Sequence, residues 1–176
     1  MGRCVTLTQA TMTIHMTKIS SDASVSTRIE IRPITASDYE RTSDVIVRCL
    51  TEVNIRDYGE EHIARMLPTF APNNLPTWFN GAETFVMTCD NDVVATGTLR
   101  GSEIQTVFVD PSKHCMGYGK RLMRHLENAA KDRGISEITL RSSLTSKSFY
   151  ESLQYQAQGD TYGAVGGQMI VMTKKL

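Results

Sequence analysis

No stretch of this sequence approaches eighteen consecutive apolar residues, so no segment reads as a membrane-spanning helix. There is no C-x-x-C pair either. The four cysteines, Cys4, Cys49, Cys89 and Cys115, are scattered, and the four histidines, His15, His62, His114 and His125, show no metal-ligand spacing. Zinc-module and disulfide-scaffold readings are therefore set aside, and the expectation is reduced thiols, no metal and a cytoplasmic location. The opening segment is rich in Thr, Ser and Met but lacks the apolar core of a signal peptide. Met1-Gly-Arg-Cys-Val-Thr6 fits a loose N-myristoylation pattern, but so short a match arises readily by chance, and no membrane partner is expected.

Excess positive charge is missing as well. Lys+Arg 19 is matched by Asp+Glu 19, which leaves no bulk field to hold a phosphate backbone, so nucleic acid is not expected as a partner. The pattern G-x-x-x-x-G-K-[ST] does not occur, and the paired glycines fall past mid-chain rather than after a first strand. Walker and dinucleotide-binding readings fail on that ground. No internal repeat is present, which excludes a solenoid.

What remains is 176 residues with 40% hydrophobic content, enough for one domain with a substantial core. Residues 1–28 read as a disordered or irregular leader and residues 29–176 as the folded domain. Residues 29–34 alternate apolar and polar, with Pro33 removing a donor, and predict an edge strand. Thr35-Ala-Ser-Asp38 offers helix-capping chemistry, and Val45, Ile46, Cys49, Leu50 and Val53 recur at helical spacing behind it. Residues 60–67 predict a second helical piece, and the proline-broken segment after it carries Trp78 and Phe79. Three strands in meander follow over 83–89, 93–99 and 103–109.

The most informative stretch comes next. A β-like run through Val107, Phe108 and Val109 breaks at Pro111 and re-forms as a helix opening on Gly117 and Gly119. Glycines at such a turn permit positive φ and close ligand approach, and a helix N-terminus presents unpaired N–H groups with partial positive charge. The arrangement suits a pyrophosphate, with Lys113, Lys120, Arg121 and Arg124 nearby, although the pair of glycines alone fits a plain turn as well. Leu122, Met123, Leu126, Ala129 and Ala130 then form one apolar stripe, and Gly134 suits the C-terminal cap of a helix over 118–133. A strand over 137–141, a short helix over 146–153, a glycine-rich link and a closing strand over 168–173 complete the reading. The predicted class is α/β (α+β): one domain with a central mixed, mostly antiparallel sheet flanked by helices.

The order of these elements, with Val109-Asp-Pro111, His114-x-x-Gly117-x-Gly119 and Ser148-Phe-Tyr-Glu-Ser-Leu153, resembles the GNAT superfamily of acyl-CoA-dependent N-acyltransferases over about residues 29 to 176. That resemblance implies acetyl-CoA as co-substrate, no metal, and a small-molecule or protein amine as acceptor. It implies that Met116, Gly117, Tyr118, Gly119 and Lys120 hold the coenzyme pyrophosphate with backbone N–H groups, that His114 stands where the family carries Gln or Arg, and that the pantetheine arm lies beside Phe108 and Val109. Tyr150 takes the position of the family's general acid, and Glu103 that of a general base used by some members. Glu103 and Val107 are four strand residues apart, about 13 Å at ordinary rise, so a bulge or a water is needed for Glu103 to act. The oxyanion donor is expected at the N–H of Val107 or Phe108.

Cys115 lies beside the glycine turn but has no legible His/Asp partner, so a covalent mechanism is not inferred. The family's common Asn-x-x-Ala-x-x-Phe-Tyr run reads Ser143-x-x-Ser146-x-x-Phe149-Tyr150 here, and its Leu-Gly-Phe reads Leu153-Gln154-Tyr155. The resemblance thus implies an N-acetyltransferase working by direct attack in a ternary complex, and a possible homodimer. The competing readings are a non-catalytic acyl-CoA-binding module and a plain interaction domain. Acceptor choice is assigned to residues 55–80 and to the link over 159–167.

Overall fold

The structure, a computed structural model, describes residues 27–163 and 166–176. The leader assigned to residues 1–28, with Cys4, His15 and the possible lipidation signal, lies outside the described residues up to position 26. At its far end the Arg28 N–H already donates to Asp90 Oδ1 at 2.9 Å.

The elements are β1 (Ile29–Pro33), α1 (Tyr39–Arg48), α2 (Ile55–Tyr58), α3 (Glu60–Met66), α4 (Leu75–Phe79), β2 (Glu83–Cys89), β3 (Asp92–Arg100), β4 (Glu103–Val109), α5 (Tyr118–Asp132), β5 (Glu137–Ser142), α6 (Lys147–Ser152), β6 (Gln156–Gly163) and β7 (Gly166–Lys175). They build one seven-stranded sheet in the order β1-β2-β3-β4-β5-β7-β6. Every neighbouring pair is antiparallel except β4 with β5.

Two apolar clusters pack on the sheet. One joins Leu122, Met123, Leu126 and Ala130 of α5 to Ile138, Leu140, Tyr150 and Met172. The other gathers Ile46, Leu50, Ile63, Phe70, Leu75 and Phe79 from the helices after β1. Helix α5 can lie close to β3 because position 97 is glycine: a Cβ there would meet Leu126 Cδ1 at 2.8 Å. Its C-terminus closes as the sequence suggests, with Gly134 at φ +74° and Ile135 N–H donating to the Ala130 carbonyl at 3.1 Å.

Two features depart from the sequence reading. The glycine-rich link contains most of β6, an edge strand whose residues are nearly all exposed, so no alternation of burial marked it. The first helix does not simply end near Val53: it passes into a π-helical segment, Cys49–Asn54, and then into α2. The wider turn brings Leu50 and Asn54 to the face where the functional cavity opens.

Candidate active site

Strands β4 and β5 pair only at Glu103 with Thr139 and Ile104 with Leu140. Beyond Ile104 they part, so the β5-facing edge of β4 from Gln105 to Val109 has no strand partner among the described residues. A cavity of about 320 Å³ opens in that fork, and Glu103, Val107, Phe108 and Tyr150 all line it. The two proposed catalytic residues, 47 positions apart by their numbers 103 and 150, thus face one space.

A bulge interrupts β4 between Glu103 and Val109. Thr96 pairs with Phe108 and Thr98 with Gln105, so Thr106 and Val107 together oppose Gly97. Thr106 takes φ 53°, a left-handed conformation that costs a β-branched residue on the order of 1–3 kcal/mol. Trp78 Nε1–H donates to Thr106 Oγ1 at 3.2 Å and so braces the bulge from α4. Of the two aromatics in that segment, Trp78 lines the cavity while Phe79 belongs to the second apolar cluster.

Tyr150 is 7% exposed, with its ring set edge-on to Phe149 and Tyr155 at centroid distances of 5.0 and 5.9 Å. Burial raises its phenol above the ordinary value, and the neighbouring Tyr58 adds to the shift. Burial likewise pushes Tyr58 up to about 12, assisted by Asp57. Glu103 is a quarter exposed and pairs with Arg141 Nη1 at 3.4 Å.

The glycine turn lies between β4 and α5. Cys115 and Gly117 are both left-handed, at φ 61° and 80°, and Gly117 caps α5. A Cβ on Gly117 would meet nothing within 4 Å, so the space over the turn is open. The first N–H to find an intrahelical acceptor is that of Arg121, on the Gly117 carbonyl at 3.0 Å, and those of Tyr118, Gly119 and Lys120 have no backbone acceptor among the described residues. Gly119 serves packing as well: a Cβ there would meet Phe149 Cζ at 3.1 Å, so α5 and α6 touch at this point.

The remaining predicted coenzyme residues divide by atom. The Tyr118 ring is buried, with its hydroxyl 3.8 Å from Cys89 Sγ, whereas Met116 is 57% exposed. The Phe108 ring packs on Phe70, and Val109 packs against the first cluster. His114 Nε2 lies 2.8 Å from the Val109 carbonyl, which also accepts from Cys49 Sγ at 3.0 Å. His114 therefore fastens the turn to the end of β4. Burial pushes the Cys49 thiol up to about 12, which disfavours its thiolate.

Asp110 was not singled out by sequence, yet it anchors the whole turn. It is 1% exposed and accepts from the Ser112 N–H at 2.9 Å, the Ser112 hydroxyl at 2.7 Å, and Arg48 Nη1 at 2.8 Å on each oxygen. Arg41 Nη2 adds a contact at 3.2 Å. Burial alone would raise this carboxyl, but the Ser112 bonds and the two guanidiniums hold it below the usual carboxylate range. The Asp-Pro-Ser run is an Asx-turn signal that could have marked it. Its arginine partners, 62 and 69 positions away, could not have been read.

Among the described residues no helix is long and apolar enough to cross a membrane. The family model for the acetyltransferase (GNAT) domain matches residues 54–176. An uncharacterized acetyltransferase from Streptococcus pyogenes is 34% identical over 84 residues, covering 44% of this chain and 58% of that protein. The chain thus matches little more than half the length of that relative. A GCN5-related N-acetyltransferase from Rhodopseudomonas palustris shares the fold at TM-score 0.79 and 22% identity, over 84% of this chain and 95% of that one. The PaiA N-acetyltransferase from Thermoplasma acidophilum, solved in complex with coenzyme A, gives TM-score 0.71 and 20% identity over 85% and 99%. With the family model covering residues 54–176 on a matching fold, this chain belongs to the GNAT acetyltransferase family.

Proposed function

We propose that the protein transfers an acetyl group from acetyl-CoA to a primary amine by direct attack in a ternary complex. The observation that carries this reading is that one cavity at the β4/β5 fork is lined by Glu103, Val107 and Tyr150 together, while the glycine turn reaches the end of β4 where Gly119 lies against Val109. The coenzyme A held by the Thermoplasma relative supports the choice of donor.

The chain's own groups divide the work. The N–H groups of Tyr118, Gly119 and Lys120 bind the pyrophosphate with the dipole of the fifteen-residue α5 behind them. The Asp110 N–H donates to the Val94 carbonyl at 2.8 Å and Phe108 stands opposite Thr96, so strand alternation directs the Phe108 N–H toward β3 and the Val107 N–H to the open edge. That N–H receives the charge that develops on the thioester oxygen as the amine nitrogen bonds to the acyl carbon. Collapse breaks the carbon–sulfur bond, and the Tyr150 hydroxyl gives its proton to the departing sulfur. Its raised phenol stays protonated at neutral pH, as a general acid requires. Glu103 takes the proton lost by the amine, directly or through one water.

The test is thiol release from acetyl-CoA against a panel of amines. Release that depends on the acceptor supports transfer. Saturable acetyl-CoA binding with no acceptor-dependent release from any amine would make the protein a binding module instead.

A further inference from the structure

Among the described residues, the cavity is lined by one carboxylate, Glu103, and one guanidinium, Arg141, which face each other at 3.4 Å, with the imidazole of His62 elsewhere in the wall. Around them the wall is largely apolar, with Met66, Phe70, Trp78 and Met169 among its members. One positive and one negative group, adjacent within a largely apolar pocket, match a small molecule that carries one cationic and one anionic group on the same carbon. Resting on the acetyl-transfer reading above, we infer that the acceptor is an α-amino acid with an apolar side chain. Its carboxylate lies against the Arg141 guanidinium, its amine lies on the Glu103 side, and its side chain occupies the apolar wall.

The geometry argues against the other amines. A polyamine needs several anions spaced along its length, and the lining residues supply one carboxylate. A simple amine would satisfy Glu103 yet displace Arg141 from its partner with nothing to replace it. An amino acid replaces both halves of the ion pair at once. Arg141 has the reach for this: it sits on β5 one residue beyond the last β4 pairing, at Leu140, and its side chain is 52% exposed. A guanidinium also offers the planar pair of donors that a carboxylate accepts.

The experiment compares L-methionine and L-phenylalanine with their decarboxylated counterparts, 3-(methylthio)propylamine and 2-phenylethylamine, and with spermidine, in acetyl-CoA-dependent acetylation by the wild-type protein. The amino acids are expected to be acetylated with a KM at least tenfold below that of the matching amine, because a site built to bond a group rejects the analogue that lacks it. Arg141→Met is expected to raise the amino-acid KM at least tenfold and to shrink that preference, with acetyl-CoA binding retained as the sign of a folded protein. Equal use of amine and amino acid, or better use of spermidine, by a protein that binds acetyl-CoA overturns this inference and leaves acetyl transfer standing. Absence of acetyl-CoA binding by the wild type overturns both.

Discussion

The indole N–H of Trp78 donates to the hydroxyl of Thr106 at 3.2 Å, and Thr106 is the left-handed residue of the β4 bulge. A helix contributed by an irregular, proline-rich segment thus holds the backbone that must aim the Val107 N–H into the cavity. Trp78→Phe keeps most of the apolar surface and removes the bond. We expect kcat to fall about tenfold, in keeping with one lost hydrogen bond of roughly 1–1.5 kcal/mol, with the acetyl-CoA Kd changed less than threefold. Steady-state kinetics beside calorimetry separate the two, and an unchanged kcat would remove Trp78 from the positioning of the bulge.

Tyr150→Phe tests the proton donor. Removal of a general acid costs about 10²–10⁴ in rate, and we expect at least the lower figure in kcat with acetyl-CoA affinity preserved. Because burial raises this phenol, it stays protonated beyond the ordinary tyrosine value of about 10. The wild-type kcat should therefore show no alkaline loss from Tyr150 up to that pH. A variant that retains full kcat would assign proton return to water.

Part of this architecture is legible in the residues, and part arises only from the fold. The α5 stripe was readable because its apolar residues fall on one helical face and Gly134 follows them. The meander was readable because β2 and β3 are long apolar runs between turn residues. Strand β6 was not, since Gln156–Gly163 is an exposed edge with no buried face to impose a pattern. At the site, Gly117, Gly119 and Tyr150 came from local motifs. The Asp110 contacts to Arg41 and Arg48 and the Glu103 pairing with Arg141 join residues far apart in the chain, and only the fold brings them together.

Acid stability should follow Asp38. Its carboxylate takes Arg32 on both oxygens, at 2.7 and 2.8 Å, and the Thr35 N–H at 2.8 Å. The Arg32 bonds, with help from Thr35, hold it far below the usual carboxylate range despite burial. A depressed folded value means that the stabilisation is complete above the unfolded value near 3.9 and is lost as pH falls below it. Asp38→Asn should cost about 2–4 kcal/mol at pH 7 and flatten the loss of stability between pH 5 and 2. Urea titrations across that range measure both, and parallel curves for the two proteins would contradict the assignment.

Gln154 ends α6 in a left-handed conformation, φ 70°, with its N–H on the Glu151 carbonyl and the Tyr155 N–H on that of Tyr150. This is a helix-ending geometry in which glycine is the unstrained choice. Gln154→Gly should stabilise the protein by roughly 1 kcal/mol, read as a higher urea midpoint at unchanged slope. A lower midpoint would mean that the glutamine side chain holds a contact worth more than the strain it imposes.

Coenzyme binding at the turn that holds Gly117 underlies the proposed transfer. Calorimetric titration of acetyl-CoA into the wild type and into Gly117→Glu addresses it most directly. The added side chain places bulk and negative charge over the N–H groups of Tyr118, Gly119 and Lys120, and strains a residue at φ +80°. Saturable binding by the wild type that is lost in the variant is the expected result. No saturable binding by the wild type, or equal binding by both proteins, would contradict the account.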